Sequence, residues 1–178
     1  MPALAPDIAI VKAAAVAINP ADAKTLDYSA APGAIHGYDF AGTVVALGAD
    51  ELALGHLAVG DRVAGMVHGM HKLQPLDVGG LAKYVGAYAD ILLRVPGKMT
   101  FEEAARFGTG VATASMSLVG ELHVLASLQL LCGQLGENEV KEEDGEFVLV
   151  AGASTTTGTR VIQLRKLQVV LVEQSIPC

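Results

Sequence analysis

The residues best suited to chemistry in this chain are four consecutive hydroxyl carriers, Ser154, Thr155, Thr156 and Thr157, which run into Gly158. Ahead of them lies an apolar run, residues 147–151; behind them Val161, Ile162, Leu164 and Leu167 recur at helical spacing. The pattern predicts a buried strand, a tight turn and a helix, the opening unit of a nucleotide-binding α/β domain. A helix start offers unpaired N–H groups and the positive end of a dipole to a phosphate, and the hydroxyls add donors beside them. Ordinary capping of the helix would use the same hydroxyls, so both readings stand at this point. Only twenty residues follow Gly158, too few for a doubly wound domain, so the chain is expected to begin such a domain without completing it.

A second polar group comes early, where Asn19, Pro20, Ala21 and Asp22 end an apolar stretch, residues 8–18. Capping after a proline turn is one reading of these residues and contact with a cofactor is the other. Tyr38 is read as a packed ring whose hydroxyl seeks a partner, and Asp39 as a group that orients nearby donors. His68 and His71 are three apart, yet no cysteine or carboxylate stands at metal-ligand spacing, and no metal is expected. His36, His56 and His123 offer no better base, and no serine occupies a nucleophile elbow. Met66, Met70, Met99 and Met116 read as packing residues. The acidic stretch 135–146 reads as a solvated loop. Glu173, which closes a VVLVE run, reads as part of a replaced tail more readily than as the acid that grips a ribose.

The elements that must position these groups begin with short strands. Residues 8–18, 36–48, 59–67 and 81–96 are β-rich runs separated by Pro and Gly turns, which predicts a compact, partly open barrel. Residues 22–28 suit a helical turn and residues 51–57 a loop or brief helix. Thr100 followed by Glu103 is a capping box. The helix it starts is expected to run from Phe101 to about Phe107 and to stop at Gly108 and Gly110, with a longer apolar helix over residues 112–122. With 52% apolar residues the chain is not disordered, but aromatics are only 4%, so glycine and aliphatic side chains must fill the core. A formal charge of −7 with scattered basic residues argues against a nucleic-acid partner. Two unpatterned cysteines, Cys132 and Cys178, and the lack of a leader or membrane-length apolar run make the cytoplasm the expected compartment, with no membrane association.

VKAAAVAINPADAK at 11–24, IHGYDFAGTVVALG at 35–48, VGDRV at 59–63 and the unit at 147–167 follow one another in an order that resembles the zinc-independent branch of the medium-chain dehydrogenase/reductase superfamily. Within that branch the chain is most similar to the fungal trans-enoyl reductases that work beside polyketide synthases, with quinone-oxidoreductase-like proteins in the same neighbourhood. The resemblance implies an α/β protein: a GroES-like, partly open β-barrel over residues 1–98, connecting helices over 99–135, and the first strand–turn–helix of an incomplete Rossmann domain over 136–178. In that family NADPH lies in the cleft between the two domains. The resemblance assigns Pro20, Ala21, Asp22 and Ala23 to the loop near the nicotinamide, and Ser154, Thr155, Thr156, Thr157 and Gly158 to the cofactor-phosphate turn. It assigns Gly108, Thr109, Gly110, Val111, Ala112, Thr113, Ala114 and Ser115 to the border of the substrate cleft.

Departures from the family pattern are informative too. Asn19 and Tyr38 stand where zinc-dependent relatives have a cysteine and a histidine, so the first zinc ligands are missing. Of the three fingerprint glycines, at Ala153, Thr155 and Gly158, only the last is present. The implied activity is NADPH-dependent reduction of the carbon–carbon double bond of an enoyl thioester supplied by a polyketide synthase. A quinone or enone reductase is one alternative. The other is a non-catalytic truncated remnant or interaction module, with an oligomer covering the incomplete domain.

Overall fold

The computed structural model describes residues 1–28, 31–73, 75–121 and 149–174. Its contacts divide the chain into two compact units, Met1–Thr109 and Gly110–Cys178.

The first unit is built on an open antiparallel sheet. Its strands are β1 (Ile8–Ala17), β2 (Asp39–Leu47), β3 (Arg62–Met66), β4 (Tyr84–Tyr88) and β5 (Leu93–Arg94), and their spatial order is β4-β1-β2-β3-β5. β1 and β2 carry the longest pairing, from Ala9 opposite Leu47 to Ala17 opposite Asp39, interrupted by two register shifts. Gly42 makes that approach workable, because a Cβ there would run into the backbone carbonyl of Lys12. The register also delivers Asp39, the first residue of β2, to the end of β1, where the chain turns into α1 (Pro20–Tyr28).

The two sheet faces bury different side chains. One packs Val11, Phe40, Val44, Val63, Val85 and Leu92 into the main core. On the other, Ala15, Ala41 and Ala64 fall opposite one another across three strands, and this smooth stripe receives Ala104 and Ala105 of α3 (Phe101–Ala105). Small side chains at those positions let a helix lie close to a sheet. The expected capping box starts α3: Thr100 Oγ1 accepts from the Glu103 N–H at 3.2 Å, and Glu103 Oε2 accepts from the Thr100 N–H at 2.8 Å.

A brief helix, α2 (Ala49–Leu54), ends at Gly55 with φ +70°. Within this helix Glu51, 2% exposed, accepts from the Leu57 N–H at 2.9 Å and meets His56 Nδ1 at 2.7 Å, while His56 Nε2 donates to the Ala89 carbonyl at 3.2 Å. These bonds tie the loop after α2 to the turn after β4.

Two expectations are corrected. Gly108 and Gly110 do not stop a helix; they open α4 (Gly108–Ser115), which passes into a π-helical turn at Met116–Glu121. Their role is close approach. A Cβ on Gly108 would sit 2.6 Å from Asp39 Oδ1 and from the Gly65 carbonyl oxygen, and one on Gly110 would sit 2.8 Å from Thr156 Cγ2. The strand expected at 147–151 is not formed over its described part, where Leu149 is 95% exposed and Ala151 already lies in a turn; residues 147 and 148 fall outside the described residues. A parallel strand takes its hydrogen bonds from neighbours, and among the described residues none of the five strands pairs with this run. The last helix, α5 (Thr156–Gln174), continues through the VVLVE run, so Glu173 lies in it. A helix satisfies its backbone internally and needs no sheet partner. The acidic stretch 135–146, together with His123 and both cysteines, lies outside the described residues.

Candidate active site

Asn19 precedes the first residue of α1, where its side chain would ordinarily accept from an N–H of the first turn. It does something else. Its Nδ2 donates to Asp39 Oδ2 at 3.0 Å, twenty residues away. Capping is left to the other half of the pair: Asp22, in the third helical position, accepts from the Asn19 backbone N–H through Oδ2 at 2.6 Å. Pro20, at the first helical position, lacks only an N–H that would have had no helical partner. Asp22 is 4% exposed, and its second oxygen, Oδ1, is buried without a hydrogen-bond partner among the described residues. A carboxylate oxygen in that state can accept a donor from a bound molecule.

Asp39 is 1% exposed and receives three donors. Besides Asn19, the Thr109 backbone N–H at 2.7 Å and the Thr109 hydroxyl at 2.6 Å both reach Oδ1. Burial pushes the Asp39 carboxyl above its ordinary value of 3.8; the Thr109 and Asn19 hydrogen bonds oppose the rise, and the charge of Asp22 adds to it. Gly108 leaves the room in which these bonds form.

Tyr38 stands beside this group. Thr25 donates its hydroxyl proton to the Ala21 carbonyl at 2.8 Å, so at its 3.0 Å contact with Tyr38 the Thr25 oxygen accepts and the Tyr38 hydroxyl donates. The Tyr38 proton is therefore committed inward. His36 Nε2 lies 2.8 Å from the Asp22 carbonyl oxygen and must be the donor, while its Nδ1 is buried without a partner among the described residues. The Tyr38 ring packs 5.0 Å from His68, which packs 4.3 Å from His71. Burial, and then the neighbouring His71, lower the pKa of His68. Among the described residues no group of three or more His, Cys, Asp or Glu is gathered to hold a metal ion. Neither Thr25 nor His36 is evident as a site residue from sequence. The available signal for Thr25 is its place one helical turn after Ala21, facing the same way.

The hydroxyl-bearing bend belongs to the second unit. Thr155 caps α5: its Oγ1 accepts from the Gly158 N–H at 3.1 Å and donates to the Gly152 carbonyl at 2.8 Å. Gly152 turns the chain with φ +75°, and a Cβ on Gly158 would run into the Gly152 carbonyl. Ser154, Thr155 and Thr156 are exposed and Thr157 is partly so, and the first-turn N–H groups of Thr156 and Thr157 have no earlier helical turn to pair with. Gly110 brings α4 against Thr156, so two of the expected segments meet. Further along α4, Val111 and Ala112 are partly buried, Thr113 is exposed, Ala114 is fully buried and Ser115 is partly buried. Ala21 and Ala23 lie in the first turns of α1, partly buried and exposed respectively.

Residues 5–97 match the family described as the Alcohol dehydrogenase GroES-like domain. The chain is 57% identical over 167 residues to the trans-enoyl reductase caaB of Aspergillus niger, covering 94% of this chain and 44% of that protein. It is 54% identical over 166 residues to the trans-enoyl reductase thnE of Trichoderma harzianum, covering 93% and 43%. Among solved structures, an alcohol dehydrogenase superfamily protein from Novosphingobium aromaticivorans superposes with a TM-score of 0.68 at 29% identity, over 94% of this chain and 44% of that one. The chain thus spans less than half the length of the curated relatives it matches.

Proposed function

The chain belongs to the Alcohol dehydrogenase GroES-like domain family, and from that premise we propose that it carries the GroES-like part, and the opening 136–178 segment of the nucleotide-binding domain, of an NADPH-dependent enoyl reductase. The substrate class is an α,β-unsaturated thioester carried by a polyketide synthase, and the compartment is the cytoplasm. One observation carries the reading: in the first turn of α1, within the residues assigned to the nicotinamide, Asp22 Oδ1 is a buried acceptor with no donor among the described residues. A carboxamide N–H₂ is a donor of the kind that oxygen lacks.

When bound, NADPH supplies a hydride for the β-carbon of the substrate. The chain's own residues bind and orient. Pro20, Ala21, Asp22 and Ala23 hold the nicotinamide end, with Asp22 accepting from it. The first-turn N–H groups of Thr156 and Thr157 and the hydroxyls of Ser154, Thr156 and Thr157 receive a phosphate, while Thr155 and Gly158 shape the bend. The segment Gly108–Ser115 borders the substrate. Tyr38 orders the site through Thr25, and its inward-directed proton makes it a poor source of the proton required at the α-carbon.

Titrating NADPH into the purified chain and following cofactor fluorescence tests the reading. Saturable binding is expected, weakened by Asp22→Ala, followed by NADPH consumption with an enoyl thioester. The absence of saturable binding would overturn the cofactor assignment for this chain. Consumption with a quinone alone would replace the thioester as substrate.

A further inference from the structure

Asp39 is bonded on one side to a residue next to the segment assigned to the cofactor, and on the other to a residue of the segment assigned to the substrate. Its Oδ2 takes the Asn19 side chain at 3.0 Å, one residue ahead of Pro20. Its Oδ1 takes both the backbone N–H and the hydroxyl of Thr109, at 2.7 and 2.6 Å, in the first turn of α4. Among the described residues Asn19 and Thr109 share no hydrogen bond with each other. The carboxylate is planar and rigid, and with the residue 1% exposed and set in the register of β2 it has little room to turn.

We propose that Asp39 is a positioning residue whose single carboxylate couples the loop at Asn19 to the start of α4 at Thr109, so that the two segments assigned to cofactor and substrate are set together. The physical reason is shared ordering. Once Asn19 holds Oδ2, the plane of the carboxylate is set, and Oδ1 meets the two Thr109 donors without a further loss of rotamer freedom. Gly108 fits the same design, since any side chain there would press on Oδ1 at 2.6 Å. Asn19 forgoes capping its own helix to make this bond, which a purely local role would not require.

The inference rests on the proposed reductase reading, and its test separates the two. In the full chain, Asn19→Ala should shift the Thr109 backbone amide resonance and speed its hydrogen exchange by about tenfold, although the two residues are not bonded. Asn19→Asp sets two carboxylates face to face with no donor between them and should do the same. The swap Asn19→Asp with Asp39→Asn restores a donor–acceptor pair with its direction reversed, and should recover the resonance. NADPH affinity should follow the same order: weaker by about tenfold in Asn19→Ala and Asn19→Asp, and recovered in the swap. A Thr109 amide indifferent to Asn19→Ala overturns the inference. So does a swap no better than Asn19→Asp alone, or an NADPH affinity unchanged across a series that loses only melting temperature. If the wild-type chain binds no NADPH while the amide coupling holds, the cofactor reading falls and the coupling stands.

Discussion

Two side chains make predictions at the scale of the single residue. The carboxyl of Asp39 is raised by burial above 3.8, so on going from acid to neutral pH the unfolded chain releases this proton first. The folded state then holds more protons than the unfolded state, and the Asp39 contribution to stability, fully present below the unfolded value, is lost as pH rises through the folded one. Asp39→Asn should flatten that slope, as read by urea unfolding at steps between about pH 3 and pH 7; Asp22, the facing carboxylate, is retained in both proteins. Glu51 makes the other case. Removing it in Glu51→Ala strands the buried Leu57 N–H and the His56 contact, and should cost about 1–3 kcal/mol in the same unfolding assay.

At the scale of elements, the β1–β2 pair and the α5 start are the places where one atom decides a shape. Gly42→Ala sets a methyl group against the Lys12 carbonyl and must separate the strands or bend them; overpacking of this sort costs about 1–3 kcal/mol, measurable as a lowered urea midpoint. Thr155→Ala removes the cap of α5, for which a loss of about 1 kcal/mol is usual. Faster amide exchange in the first turn of α5 should report it, with or without NADPH. Thr157→Ala keeps the cap, so it should leave that exchange unchanged and weaken only NADPH binding. The hydroxyls of the bend thus divide into a structural one and ones directed outward, which their shared chemistry does not distinguish in a linear sequence.

The whole molecule is uneven in how it is held. The first unit buries Val11, Phe40, Val44, Val63 and Val85 between paired strands. The described part of the second unit contributes two helices and a turn, with Met116 and Leu149 exposed. Amide exchange should therefore be slowest at Val11, Val44 and Val85, near the global unfolding limit, and faster throughout α5. Equal protection in both units would contradict this. Among the described residues no helix is long and apolar enough to cross a membrane.

Much of this was legible in the order of residues. The apolar run along residues 8–17, the alternation along 39–47, the capping box at Thr100 and Glu103, and the proline at the head of α1 are local signals, each read within a few positions of the chain. The family motifs are local strings as well, which is why the GroES-like part could be read before its strands were seen. What could not be read depends on atoms distant along the chain. Gly108 and Gly110 look like helix stops because glycine has low helical propensity, yet their lack of a Cβ is spent on the approach of Asp39 and of Thr156. The run before the hydroxyl bend looks like a strand because its residues favour one, but a strand also needs a partner. Asn19 looks like a cap until Asp39, twenty residues on, takes its side chain. The sequence by itself determined the strand-rich first part, the capped start of α3 and the family they recur in, since those follow from short-range patterns; only the tertiary structure decided whether the run before the bend forms a strand and which polar atoms meet, because both depend on close contact between distant segments.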